Sequence, residues 1–129
     1  MSYALSTTVK TPYDETVEAV REALGEQGFG VLTEIDIQAT LKKKLDVDVP
    51  AQVILGACRP PLAHAALQAE PSIGLLLPCN VTVRETDDGT LVEAVDPQTM
   101  VALTGNADLQ QVADEARVRL EKALASLPA

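Results

Sequence analysis

The sequence predicts a two-layer α+β domain: one largely antiparallel sheet of about five strands, packed by a long C-terminal helix, in the order βαβαβαββα. Three observations lead there. Asp87-Asp88-Gly89 is a tight-turn signal between two strand-like runs, and a hairpin is antiparallel by construction. Asn106 to Leu127 carries Leu109, Val112, Ala113, Ala116, Leu120, Ala123, Leu124 and Leu127 at helical spacing, an apolar stripe long enough to cover a sheet. The helical segments between the earlier strands are short, which argues against a parallel sheet of βαβ units. A chain of 129 residues with no linker, repeat or low-complexity segment is expected to form a single domain over 1–129.

In chain order, Tyr3 to Val9 reads as the first strand. Thr11 is placed to cap the helix that follows, with Pro12 at its first position and Asp14 where a capping box wants an acid. Val17, Val20 and Leu24 recur at helical spacing, and Gly28 is placed to end that helix in a left-handed cap. Phe29 to Ile35 is a short strand. Asp36 caps a second helix with Ile37, Leu41 and Leu45 on one face. After a loop from Asp46 to Pro50, the apolar run Val53 to Cys58 reads as a strand buried on both faces. Pro60 and Pro61 end it and begin a short Ala-rich helix, closed by Pro71. Ile73, Leu75, Leu77, Cys79, Val81 and Val83 share one parity, which predicts a long strand interrupted by a bulge or edge at Pro78. Leu91 to Val95 is its hairpin partner, and Asp96-Pro97 opens a short helical turn before the final helix.

The chain is 47% apolar, with no Trp, one Phe and two Tyr. Its core therefore rests on aliphatic and Ala side chains, each contributing little at about 25 cal/mol per Å² buried. The net charge of −9 repels phosphate backbones and anionic bilayers, so neither nucleic acid nor a membrane surface is an expected partner. Residues 14 to 36 concentrate the acids, and Lys42-Lys43-Lys44 reads as a helix C-terminus complementing its dipole. Met1 to Lys10 lacks the apolar core of a signal peptide, and no run reaches the roughly 18 apolar residues of a membrane span. Two cysteines do not make a disulfide framework, so reduced thiols and a cytoplasmic location are expected.

Three strings carry a resemblance: Phe29-Gly30-Val31-Leu32-Thr33-Glu34-Ile35-Asp36, Leu55-Gly56-Ala57-Cys58 with Pro60, Ala63 and Ala66-Leu67, and Glu70-Pro71 followed by Ile73 to Val81. With these the chain resembles domain-of-unknown-function family 302 over nearly its whole length. The loop Asp46 to Ala51 departs from the family by lacking aromatic residues. The resemblance implies a TATA-box-binding-protein-like fold with a β-α-β4-α plan, two extra short helices between strands, and a homodimer. It implies no activity and no catalytic residue.

The candidate chemistry is sparse. Cys58, His64 and Cys79 are the only thiols and the only imidazole, but the spacing C-x5-H-x14-C matches no zinc pattern, so neither metal nor cofactor is expected. Cys58, just before a helix start, could be an activated thiol with His64 as base, against the plainer reading of a small core residue and a surface histidine. Cys79 shares parity with aliphatic residues and reads as core. Glu34 and Asp36 are two apart at a strand end and could face one side for acid–base work or cation binding, against a solvated strand end and a helix cap. Asn80, beside the break at Pro78, could tie up the broken ladder or bond a ligand. These residues place any cleft around the Cys58–Pro61 turn and the Pro78–Asn80 break. The expected function is a non-catalytic small-ligand-binding or interaction domain acting as a homodimer, with a thiol-dependent enzyme or redox protein using Cys58 and His64 as the alternative.

Overall fold

The computed structural model describes residues 2–128. Five strands, β1 (Ala4–Val9), β2 (Gly30–Asp36), β3 (Gln52–Cys58), β4 (Cys79–Thr86) and β5 (Gly89–Val95), form one sheet in the order β1-β5-β4-β3-β2. Every neighbouring pair is antiparallel. The helices are α1 (Tyr13–Glu26), α2 (Ile37–Leu45), α3 (Pro60–Ala69), α4 (Gln98–Thr104) and α5 (Gln110–Ala125). The expected α+β architecture is therefore the one observed, with the C-terminal helix on the sheet.

One face of the sheet is covered. Val53, Leu55 and Ala57 of β3, Val81 and Val83 of β4, and Val92 and Ala94 of β5 pack against Val20, Ala23 and Leu24 of α1 and Leu120 and Ala123 of α5. A second, smaller core joins Ala66 of α3, Ile73, Met100 of α4, Leu109 and Ala113. Helix α2 contributes to neither core. The alternate residues of the strands, among them Ser6, Asn80, Thr82, Arg84, Glu93 and Val95, face away from α1 and α5 and form an open face.

Local chemistry explains most boundaries. Gly28 takes the left-handed φ of 82° after α1, letting Phe29 N–H reach the carbonyl of Leu24 at 2.9 Å. Asp36 accepts from the Ala39 amide at 2.9 Å and caps α2 as expected. Lys42, Lys43 and Lys44 lie in the last turn of α2.

Two expectations fail. Thr11 does not cap α1. The first intrahelical bond runs from Thr16 N–H to Pro12, so proline holds the cap position, and the Thr11 hydroxyl meets that of Thr16 at 2.7 Å. Asp14 and Glu15 then act on the first turn through its dipole. The long strand from Ile73 does not exist either. Pro71–Leu76 is a 3-10 turn, the Leu77–Pro78 peptide is cis, and β4 begins at Cys79. Pro71 suits a helical start, and Pro78 has no N–H for a ladder. The apparent alternation was weak, because Leu75-Leu76-Leu77 is apolar at both parities. Among the described residues, the irregularity between paired strands lies instead in β2, where the register shifts between Val31 and Thr33.

Candidate functional site

Antiparallel pairing brings the two sequence-predicted segments together, since Ala57 lies opposite Cys79 and Gly56 opposite Asn80. The pleat then separates their side chains. Cys58 and Asn80 belong to the open face, and Cys79 to the helix-covered face. Cys79 lines a small cavity with Phe29, Ala57, Met100 and Ala116, and burial, with Cys58 nearby, pushes its thiol up to about 11. His64 is exposed on α3, on the helix side, and no hydrogen bond joins it to Cys58 among the described residues. Pro60 and Pro61 occupy the first helical positions of α3, so the amides that would stabilise a thiolate at that helix start are missing. Both cysteines are free.

Glu34 and Asp36 do face one side, as their spacing predicts. They line a surface groove of about 320 Å³ with Tyr13, Asp14, Val17, Glu18 and Val53. Each carboxylate already has a structural partner: Arg21 bonds Glu34 at 2.6 Å, and Asp36 caps α2. Tyr13 titrates higher than an ordinary tyrosine, first because it is partly buried and then because Asp36, Asp14, Glu34 and Glu85 disfavour a phenolate.

Between the two layers there is almost no space. The cavity under α1 and α5 has about 10 Å³, and the one at Cys79 about 20 Å³. Either is filled by about one water. The open face differs. Tyr3, Ala4, Asn80, Thr82, Glu93 and Val95 line a groove of about 210 Å³ there. Thr82 lies directly opposite Glu93 across the β4–β5 ladder. Glu93 accepts from the Ser6 hydroxyl at 3.1 Å and meets Arg84 at 3.4 Å, so its charge is partly balanced. The groove therefore offers an amide, a hydroxyl and a carboxylate beside an exposed phenol ring. Beside it, the ring of Pro78 and the side chain of Thr33 lie over Gly56, where a Cβ would come within 2.9 Å of the proline ring.

Asn80 is the sequence-predicted residue that falls in this groove. Tyr3, Thr82 and Glu93 were missed, although the signal was present: the hairpin fixes Thr82 opposite Glu93, and their parity opposes that of Val81 and Val92. Arg59 was also missed. Its Nε is buried without a hydrogen-bond partner among the described residues, while Nη1 lies 3.7 Å from Glu115.

Comparison with known proteins adds a family and a fold. No curated protein matches the chain. The crystal structure of an uncharacterized conserved DUF302 protein from Bacillus stearothermophilus is similar, with a TM-score of 0.90 and 28% identity over 97% of this chain and 98% of that one. The family model for the domain of unknown function DUF302 matches residues 5–127. With this match running from β1 past the end of α5, the chain belongs to the DUF302 family.

Proposed function

We propose that this domain is a non-catalytic binding module, working as a homodimer, that takes a small polar molecule on the open face of its sheet. The open-face groove's lining, set against the closed interior, carries the reading. The interlayer cavities of about 10 and 20 Å³ admit no ligand, whereas the open-face groove of about 210 Å³ has polar side chains converging from β4 and β5. Among the described residues Glu93 is the one charged residue lining it, so an uncharged or cationic molecule rich in hydroxyl or amino groups fits best. With Ser6 and Arg84 holding it in place, the Glu93 carboxylate is preorganised as a recognition group.

The test is a titration of isotopically labelled protein with a panel of monosaccharides, amino acids and nucleosides, followed through backbone amide shifts. The reading expects at least one saturable response at Asn80, Thr82 and Val95, lost in Asn80→Ala. Responses confined to other surfaces, or none at millimolar concentrations, overturn it.

A further inference from the structure

The two edges of the sheet are built differently. At one edge, β2 carries a register shift between Val31 and Thr33, and it ends in Glu34 and Asp36. Bulges and charges are the usual means of keeping an edge from pairing with another chain. At the other edge, β1 has neither. From Ser2 to Val9 there is no charged residue, no proline and no glycine, and its register with β5 is unbroken.

The free backbone groups of β1 can be identified. Asp96 N–H donates to the Tyr3 carbonyl at 2.8 Å. In an antiparallel ladder the bonding residues alternate, so Leu5, Thr7 and Val9 also turn their amides and carbonyls to β5. Ala4, Ser6 and Thr8 turn theirs outward. Ser2 marks the same direction, since its hydroxyl bonds both the amide and the carbonyl of Ala4, at 3.3 and 3.2 Å. Beside this edge runs a groove of about 330 Å³, lined by Leu5, Thr7, Arg117, Glu121, Leu124 and Ala125 among others. Its walls are thus the strand edge and the flank of α5.

We propose that β1 is the seam of the homodimer, pairing antiparallel with β1 of a second copy to make one continuous sheet. This rests on the homodimer reading given above. For contact between two copies, charge tells the two edges apart. Two chains of net charge −9 repel one another over most approaches: α1 exposes Asp14, Glu15, Glu18, Glu22 and Glu26, and the other edge ends in two carboxylates. Of the two edge strands, β1 is the uncharged one, so like charge opposes contact least there. The groove wall suits an isologous contact too, because Arg117 and Glu121 present both signs to a copy of themselves.

The sequence of β1 is self-complementary in one register. With Thr7 opposite Thr7 of the second copy, Ser6 lies opposite its Thr8 and Leu5 opposite its Val9. The outward amides and carbonyls of Ser6 and Thr8 then bond each other. Hydroxyls pair on the open face and aliphatic side chains pair toward α5, the arrangement that stabilises cross-strand neighbours.

The experiment measures mass by light scattering at about 100 μM and hydrogen exchange at the amides of Ser6 and Thr8. The expected result is a dimer in which both amides are protected. Ser6→Pro removes an outward donor from each copy and leaves the β5 ladder intact, so it should weaken dimerisation by about tenfold or more while the monomer stays folded by circular dichroism. A dimer whose Ser6 and Thr8 amides exchange freely overturns the seam and leaves the homodimer reading standing. A monomeric wild type overturns both.

Discussion

Substituting alanine in turn at Ile73, Leu75 and Leu77 separates the observed 3-10 turn from a continuous strand. In a strand all three side chains would share one buried face and their truncation would cost similar amounts. In the structure Ile73 is 0% exposed within the second core, Leu75 is 88% exposed, and Leu77 is half-buried beside the cavity at Cys79. Ile73→Ala deletes three buried carbons, worth about 2.4 kcal/mol at about 0.8 kcal/mol each. Adding the cavity left behind brings the expected loss to about 2–5 kcal/mol. Leu75→Ala removes almost no buried area and should stay within about 0.5 kcal/mol of wild type. Leu77→Ala falls between, at about 1–2 kcal/mol, because its side chain is only partly buried. Urea melts with a shared m-value read the three differences directly. A loss above about 1 kcal/mol for Leu75→Ala, or below about 1 kcal/mol for Ile73→Ala, would refute the placement of this segment.

Two further outcomes are expected. With its thiol pushed up to about 11, Cys79 carries far less thiolate at pH 8 than an ordinary cysteine, so iodoacetamide should modify it on the order of a hundredfold more slowly than a free thiol; modification at the free rate, resolved by mass spectrometry, would contradict its burial. Gly56→Ala should destabilise the fold by about 1–3 kcal/mol, because the new Cβ meets Thr33 Oγ1 and the Pro78 ring, and Thr33→Ala in the same chain should recover part of the loss; a strictly additive double mutant in urea melts would show that the two residues do not touch.

The elements with two independent signals were legible in the sequence. Helix α5 has both its apolar stripe and, just ahead of it, a 3-10 turn over Ala107–Leu109 that Asn106 caps, its side chain accepting from the Asp108 amide at 2.9 Å. The β4–β5 hairpin has its alternation and its Asp-Asp-Gly turn. The segment from Ile73 to Leu77 had only a parity, and two prolines outweighed it. The open-face groove was hidden for a different reason. Tyr3, Asn80, Thr82 and Glu93 lie far apart in the chain, and none belongs to a spacing that chemistry demands. Asn80 carries a local signal only in following Pro78. What assembles the groove is sheet order, with β5 inserted between β1 and β4, and no local pattern announces that order.

The aromatic-poor composition bears directly on where recognition can occur. Ala113, Ala116 and Ala123 of α5 are all buried, and Ala57 and Ala94 meet the helices from the sheet. Residues this small let a helix approach a sheet closely, so the layers are left with cavities of only about 10 and 20 Å³. Any molecule this domain binds therefore meets it on an outer surface. The face free of α1 and α5 has polar residues alternating with the core residues along β4 and β5, which an antiparallel sheet permits and a doubly covered parallel sheet does not. On the binding reading proposed above, composition acts through packing: small side chains close the interior, and closure leaves the outer face of the sheet for a ligand.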